Sequence, residues 1–95
     1  MKEKITPKLI KTNGEVTEVS PANGTDFKLD ELQKYVDGII DIVNIPNSEL
    51  IFVVNDEGML CKEYNLIASM VCSKLYKCAC SLWGDVILCH TSMVK

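Results

Sequence analysis

The chain has 95 residues, 47% of them hydrophobic and 24% charged, and a net charge of −3. That length holds one domain with a single modest core, and the composition excludes collagen-like, mucin-like and wholly disordered chains. Apolar runs near 39–45, 50–54 and 66–72 fall short of the about 20 residues that a membrane-spanning helix needs. The start, Met1 to Pro7, is charged and lacks the apolar stretch of a secretory signal. The expectation is a single domain over 1–95, flexible across 1–7, cytoplasmic and without membrane contact.

Leu9 to Thr12, then Asn13-Gly14, then Glu15 to Val19 is a hairpin pattern, because Asn-Gly supplies the positive φ angles of a type I′ turn. Val16 and Val19 are an odd number of residues apart, so one strand face does not hold both, and a bulge or a longer loop is expected. Ser20 to Thr25 is turn material. Leu29, Leu32 and Val36 recur at helical spacing with Tyr35 beside them, Asp30 and Glu31 suit a helix start, and Gly38 suits its end.

Ile39 to Val43 reads as a strand, followed by a loop from Asn44 to Ser48 that contains Pro46. Leu50 to Val54 is the most apolar segment and is expected at the centre of a sheet covered on both faces. Asn55-Asp56-Glu57-Gly58 reads as a turn with Gly58 in a left-handed conformation, and Met59 to Lys62 as the returning strand of a hairpin.

Asn65 is placed to cap a helix from Leu66 to about Lys77, which carries Asn65, Ser69, Ser73 and Lys77 as a polar stripe and is apolar elsewhere. Trp83 to Cys89 reads as the last strand. The element order ββαβββαβ gives an α+β fold, a small mixed or antiparallel sheet with two helices packed on it.

The charge is not evenly spread. Residues 1–19 sum to +1, 20–58 to −6 and 59–95 to +2, and all basic residues are lysine. With no basic stripe, direct nucleic-acid binding is not expected. An acidic middle suits a basic protein partner, and it also suits an ordinary solvated surface.

Five cysteines and one histidine are the other chemically active residues. In an unexported chain they read as reduced thiols. Cys78-Ala79-Cys80, with Cys61, Cys89 and His90, are the weak candidates for zinc. Structural zinc sites favour two cysteines two to four residues apart, whereas one residue intervenes here and a second pair is missing. Cys89 and His90 are neighbours on a strand and face opposite ways, which prevents a catalytic dyad between them. The carboxylate pairs Asp30/Glu31 and Asp56/Glu57 fall at a helix start and a turn and carry no evident acid–base role. Neither a catalytic residue nor a cofactor is expected.

Leu29 to Ile40 as a block, Val54-Asn55-Asp56-Glu57-Gly58, Asn65 with Ala68, and Gly84-Asp85-Val86 follow one another in an order that resembles a small family of unknown function. That family occurs in bacteria, their phages and other mobile elements. The resemblance spans about 8–89. Asp37 departs from the glycine that the pattern has before Gly38, which puts an especially tight helix-to-strand turn in question. The cysteine cluster is no part of the pattern.

The resemblance implies no catalytic residue and no ligand. It implies a setting in which small proteins blunt host defences by binding, as anti-CRISPR and antirestriction inhibitors do. The first reading is therefore a non-enzymatic accessory protein that binds a host protein, such as a nucleic-acid-binding defence factor, through Asp30, Glu31, Asp37, Asp56, Glu57 and Trp83. If phage-encoded, it would act in the host cytoplasm.

The second reading is a nucleotide-binding or nucleotide-sequestering protein. Lys28, Lys34, Lys62, Lys74 and Lys77 would then converge on the ligand, with Tyr35, Tyr64 or Trp83 stacking on its base. A cysteine-rich zinc module is the third. A homodimer is compatible with a domain of this size.

Overall fold

The computed structural model describes residues 6–21, 24, 26–45, 48–76 and 80–94. These form a five-stranded, wholly antiparallel sheet in the order β2-β1-β5-β4-β3, with a helix packed on each face. The strands are β1 (Lys8–Ile10), β2 (Val16–Glu18), β3 (Ile40–Asn44), β4 (Leu50–Asn55) and β5 (Val86–His90). The helices are α1 (Leu29–Val36), the single turn α2 (Gly58–Cys61) and α3 (Leu66–Tyr76), and the chain closes with a 3-10 turn at Thr91–Met93. The protein is thus an α+β fold, as its pattern predicts. None of the helices is long and apolar enough to cross a membrane.

Alternation along the central strands builds two cores. Ile51 and Val53 of β4, with Ile87 and Cys89 of β5, point to the α1 side and meet Leu32 and Val36. Phe52, Val54 and Val86 point the other way and meet Ala68 and Cys72 of α3. A strand buried on both faces has no polar positions, which is why Leu50 to Val54 is so uniformly apolar. In α1 the inward stripe is Leu32 and Val36, four residues apart, while Leu29 is exposed. Glu31 closes the first turn by accepting the Lys28 amide at 3.0 Å.

Several local expectations are revised. Only Gly14 of the Asn-Gly pair has positive φ (93°). The hairpin is a type I turn, closed by the Gly14 amide on the Lys11 carbonyl at 3.0 Å, followed by a left-handed glycine. All three residues of β2 are exposed, so no inward face exists to be read there. Residues 1–5 of the expected flexible start lie outside the described residues. Pro7, however, is buried and its carbonyl accepts the Val19 amide at 3.0 Å.

Met59 to Lys62 is not a strand. The amides of Cys61 and Lys62 fold back onto the carbonyls of Glu57 and Gly58, making α2. Gly58 has no positive φ; its role is steric, because a Cβ there would stand 2.9 Å from the Trp83 carbonyl oxygen. Trp83 precedes β5 rather than opening it, and bridges to Tyr64 instead.

In the polar stripe of α3, Ser69 and Ser73 bond to the neighbouring extended segment. Ser69 Oγ accepts the Leu82 amide at 2.8 Å and Ser73 Oγ accepts the Cys80 amide at 2.9 Å. Among the described residues no strand pairs with the extended segment 80–82, and serines spaced every four residues take up its backbone amides. Lys77, the last member of the stripe, lies outside the described residues.

β3 is an edge strand that is guarded. The bond from the Asp56 amide to the Ile39 carbonyl places the odd-numbered residues of β3 toward β4, which leaves the polar groups of Ile40, Ile42 and Asn44 at the open edge. The Asp41 carboxylate takes the Ile42 amide at 2.9 Å and puts a charge on that edge. We expect Asp41→Val to expose a β-branched edge and to drive concentration-dependent association. Light scattering across a dilution series checks this, and an unchanged mass would remove the guarding role.

Candidate functional site

Antiparallel pairing brings one set of connections to one end of the sheet: the 11–15 loop after β1, the 37–39 turn before β3, 56–63 after β4, and Gly84-Asp85 before β5. This end carries six carboxylates, Glu15, Asp37, Asp56, Glu57, Glu63 and Asp85, against two lysines, Lys11 and Lys62. Exposed apolar side chains sit among them, with Ile39 62%, Met59 68% and Leu60 81% accessible.

Two buried asparagines assemble this end. Asn55, the last residue of β4, donates from Nδ2 to the carbonyls of Val36 at 3.1 Å and Asp37 at 3.0 Å. Its Oδ1 accepts the Glu57 amide at 2.7 Å, so one side chain fixes both acidic turns. Asn65, fully buried, accepts the Ala68 amide at 2.9 Å as the cap of α3. Its Nδ2 donates to the carbonyls of Ile10 at 2.9 Å and Gly84 at 2.8 Å. Helix α3, β1 and the start of β5 are thereby joined at one atom group.

The tight turn put in question by Asp37 does form. Asp37 adopts a left-handed conformation with φ 58°, and the amides of Asp37 and Gly38 both reach the Gln33 carbonyl. Gly38, at φ 152°, is needed because a Cβ would stand 2.6 Å from Asn55 Nδ2. The Asn55 bonds and a 2.6 Å ion pair from Lys62 to Asp37 support the left-handed aspartate.

That ion pair crosses a cleft of about 320 Å3 lined by Thr12, Tyr35, Asp37, Cys61, Lys62, Glu63 and Asp85. The Lys62 hydrogen bond, and then its charge, holds the Asp37 carboxyl below its ordinary range, and the same bond raises the Lys62 ammonium. A lowered carboxyl gives stability that is present above its unfolded value and lost as pH falls through the folded one. The raised ammonium gives stability that is lost only as pH rises through its folded value. The link is intact across neutral pH. Asp85 Oδ1 accepts the Thr12 amide at 3.1 Å and ties the hairpin loop to the cleft.

On the other side of α2 lies a groove of about 220 Å3, lined by Val43, Val54, Asn55, Asp56, Met59, Leu82 and Trp83 among others. Trp83 is half-buried and packs edge-on against Tyr64, with ring centroids 5.8 Å apart.

Of the expected partner-binding residues, Asp37, Asp56, Glu57 and Trp83 meet at this end. Asp30 and Glu31 do not: the N-terminus of α1 points to the opposite end of the sheet, and Glu31 is engaged in closing the helix. Glu15, Glu63 and Asp85 complete the acidic end, although charge counting along the chain does not group them with it.

The lysines of the nucleotide reading are not brought together. Lys28 and Lys34 flank opposite ends of α1, Lys62 is paired with Asp37, and Lys74 lies on α3 across the sheet. Lys77 lies outside the described residues. Tyr35 packs on Phe27, ring centroids 6.2 Å apart, and Tyr64 on Trp83.

The thiols are dispersed. Cys72 and Cys89 are buried in opposite cores, Cys61 is exposed at the acidic end, and Cys78 lies outside the described residues. Cys80 is half-buried beside Ser73. Among the described residues no three His, Cys, Asp or Glu side chains converge as metal ligands. His90 stands at the far end of β5. Its Nδ1 accepts the Ser92 amide at 3.1 Å, which leaves Nε2 to face Glu49 at 3.2 Å.

Burial pushes the Cys89 thiol up to about 11, so it carries no thiolate at neutral pH. We expect iodoacetamide to alkylate Cys61 in the native protein while Cys72 and Cys89 react only on unfolding, as read by peptide mass mapping. Compared with family models, curated proteins and solved structures, the chain shows no match.

Proposed function

We propose that this protein is a non-enzymatic binder whose acidic end docks on a basic, nucleic-acid-binding surface of a protein partner and occludes it. The observation that carries this reading is the placement of six carboxylates around exposed Ile39, Met59 and Leu60 at one end of the sheet. Charges of one sign steer a basic partner and set its orientation, while exposed apolar side chains supply area that is worth burying. Single exposed apolar residues are ordinary; three of them within one carboxylate-lined end are what favours an interface. The resemblance to a family of phages and mobile elements supplies the setting, in which the partner is a host defence factor.

The mechanism requires no proton transfer or covalent step. The acidic end takes the place of a nucleic-acid backbone on the partner, so binding competes with nucleic acid and weakens as salt screens the charges. Calorimetric titration with a lysine-rich peptide tests the electrostatic part. At low ionic strength it binds, and physiological salt weakens it about tenfold or more. Combined Asp37→Lys, Asp56→Lys and Glu57→Lys abolishes binding, whereas Asp30→Lys leaves it nearly unchanged. Equal loss in the two variants would sink the assignment to this end.

A further inference from the structure

The groove beside α2 differs from the rest of the acidic end in being apolar and set in advance. Val54 and Leu82 form its buried floor and Met59 its lip, and Trp83 forms one wall. That wall is held from two sides. Tyr64 packs on the indole edge-on, and the backbone at Gly58 approaches Trp83 so closely that a Cβ would meet the tryptophan Cβ at 3.3 Å. Asp56 stands at the rim, with Glu57 exposed next to it.

Size decides what class of ligand this groove takes. Small-molecule and cofactor sites run from about 300 Å3 upward, so about 220 Å3 is too little for a nucleotide or a cofactor. An apolar cavity of about 150 Å3 accepts benzene, so the groove has room for one leucine, methionine or phenylalanine side chain. Charge decides who presents it. A second copy of this chain would offer its own most exposed apolar residues, Met59 and Leu60, and would bring two acidic ends together.

We propose that the groove seats a single large apolar side chain of the basic partner, presented next to a lysine or arginine that reaches Asp56 and Glu57. This rests on the docking reading above and adds to it a specificity pocket, the kind of buried anchor around which interface energy concentrates.

Trp83 is the only tryptophan of the chain and serves as the reporter. The probes are short lysine-serine peptides that are identical except for a central phenylalanine, leucine or serine. The phenylalanine and leucine peptides bind about tenfold tighter than the serine peptide, because each buries a large apolar side chain. They also shift the Trp83 emission to the blue, saturably. Ser81→Phe, which fills the groove from its exposed wall, abolishes that difference while the serine peptide still binds. Met59→Ser, at an exposed lip position, reduces the difference without touching the core.

Equal affinity for all three peptides would overturn the pocket and leave the acidic docking surface standing. Failure of every peptide to bind would overturn both.

Discussion

Replacing Asn65 with alanine lowers the unfolding free energy by about 3 kcal/mol. The loss has two parts that differ in kind. Removing the cap from the Ala68 amide costs about 1 kcal/mol, as at other helix starts. Leaving the Ile10 and Gly84 carbonyls without their 2.9 and 2.8 Å donor, inside a site with no solvent access, accounts for the remainder. For a domain with roughly 5–15 kcal/mol in total, this is a large fraction. Asn65→Asp keeps the capping oxygen but places a carboxylate against two carbonyls, and is at least as damaging. Urea unfolding of the three proteins checks the account. An aspartate variant close to wild type would mean that the cap alone matters.

The second large effect concerns binding as well as stability. Asn55→Ala leaves the net charge at −3 and removes no carboxylate, yet it loosens the 37–39 turn against the 56–58 segment, leaving the Asp56–Ile39 backbone bond and the Lys62–Asp37 ion pair to hold that end. Three backbone partners lose their bonds, and we expect about 2 kcal/mol of destabilisation, because the site is partly open to water. Asp37 then loses support for its left-handed conformation, and Glu57 loses the bond that fixes its amide. We expect the lysine-rich peptide to bind severalfold more weakly. Calorimetry below the variant's unfolding temperature separates this from simple unfolding. Unchanged affinity in a destabilised protein would show that the carboxylates act as a diffuse field rather than as a positioned set.

The readable and unreadable parts of the sequence divide along physical lines. Elements that bury one face, or both, announce themselves. Leu32 and Val36 mark a helix and Leu50 to Val54 a strand covered on both faces because apolar spacing is set by the core each one meets, although the middle of the sheet is β5 and β4 lies between it and the edge strand β3. The short α2 has the sequence pattern of a strand, since Met59, Leu60 and Cys61 are exposed and their hydrophobicity reflects no core position. The role of Ser69 and Ser73 in α3 leaves no sequence signal, for the opposite reason. Serines that bond to an extended segment look the same in sequence as serines that face water.

The candidate site was half legible. Charge counting finds Asp37, Asp56 and Glu57, but it also groups them with Asp30 and Glu31, because it ignores which end of α1 each residue occupies. Glu15, Glu63 and Asp85 join the site through strand pairing across long stretches of chain, which leaves no local sign that they share one end of the sheet. Asn55 and Asn65 read as turn and cap residues. Their second function, bonding distant backbone carbonyls, exists only in three dimensions.

The most direct test of the central claim is a map of amide chemical shifts as a lysine-rich peptide is titrated into isotope-labelled protein at low and at physiological salt. The predicted result is a saturable set of changes confined to 37–39, 56–63 and 81–85, shrinking as salt rises. Changes centred on the opposite end, around Lys28 to Glu31 or His90, or spread over the whole surface, would contradict it.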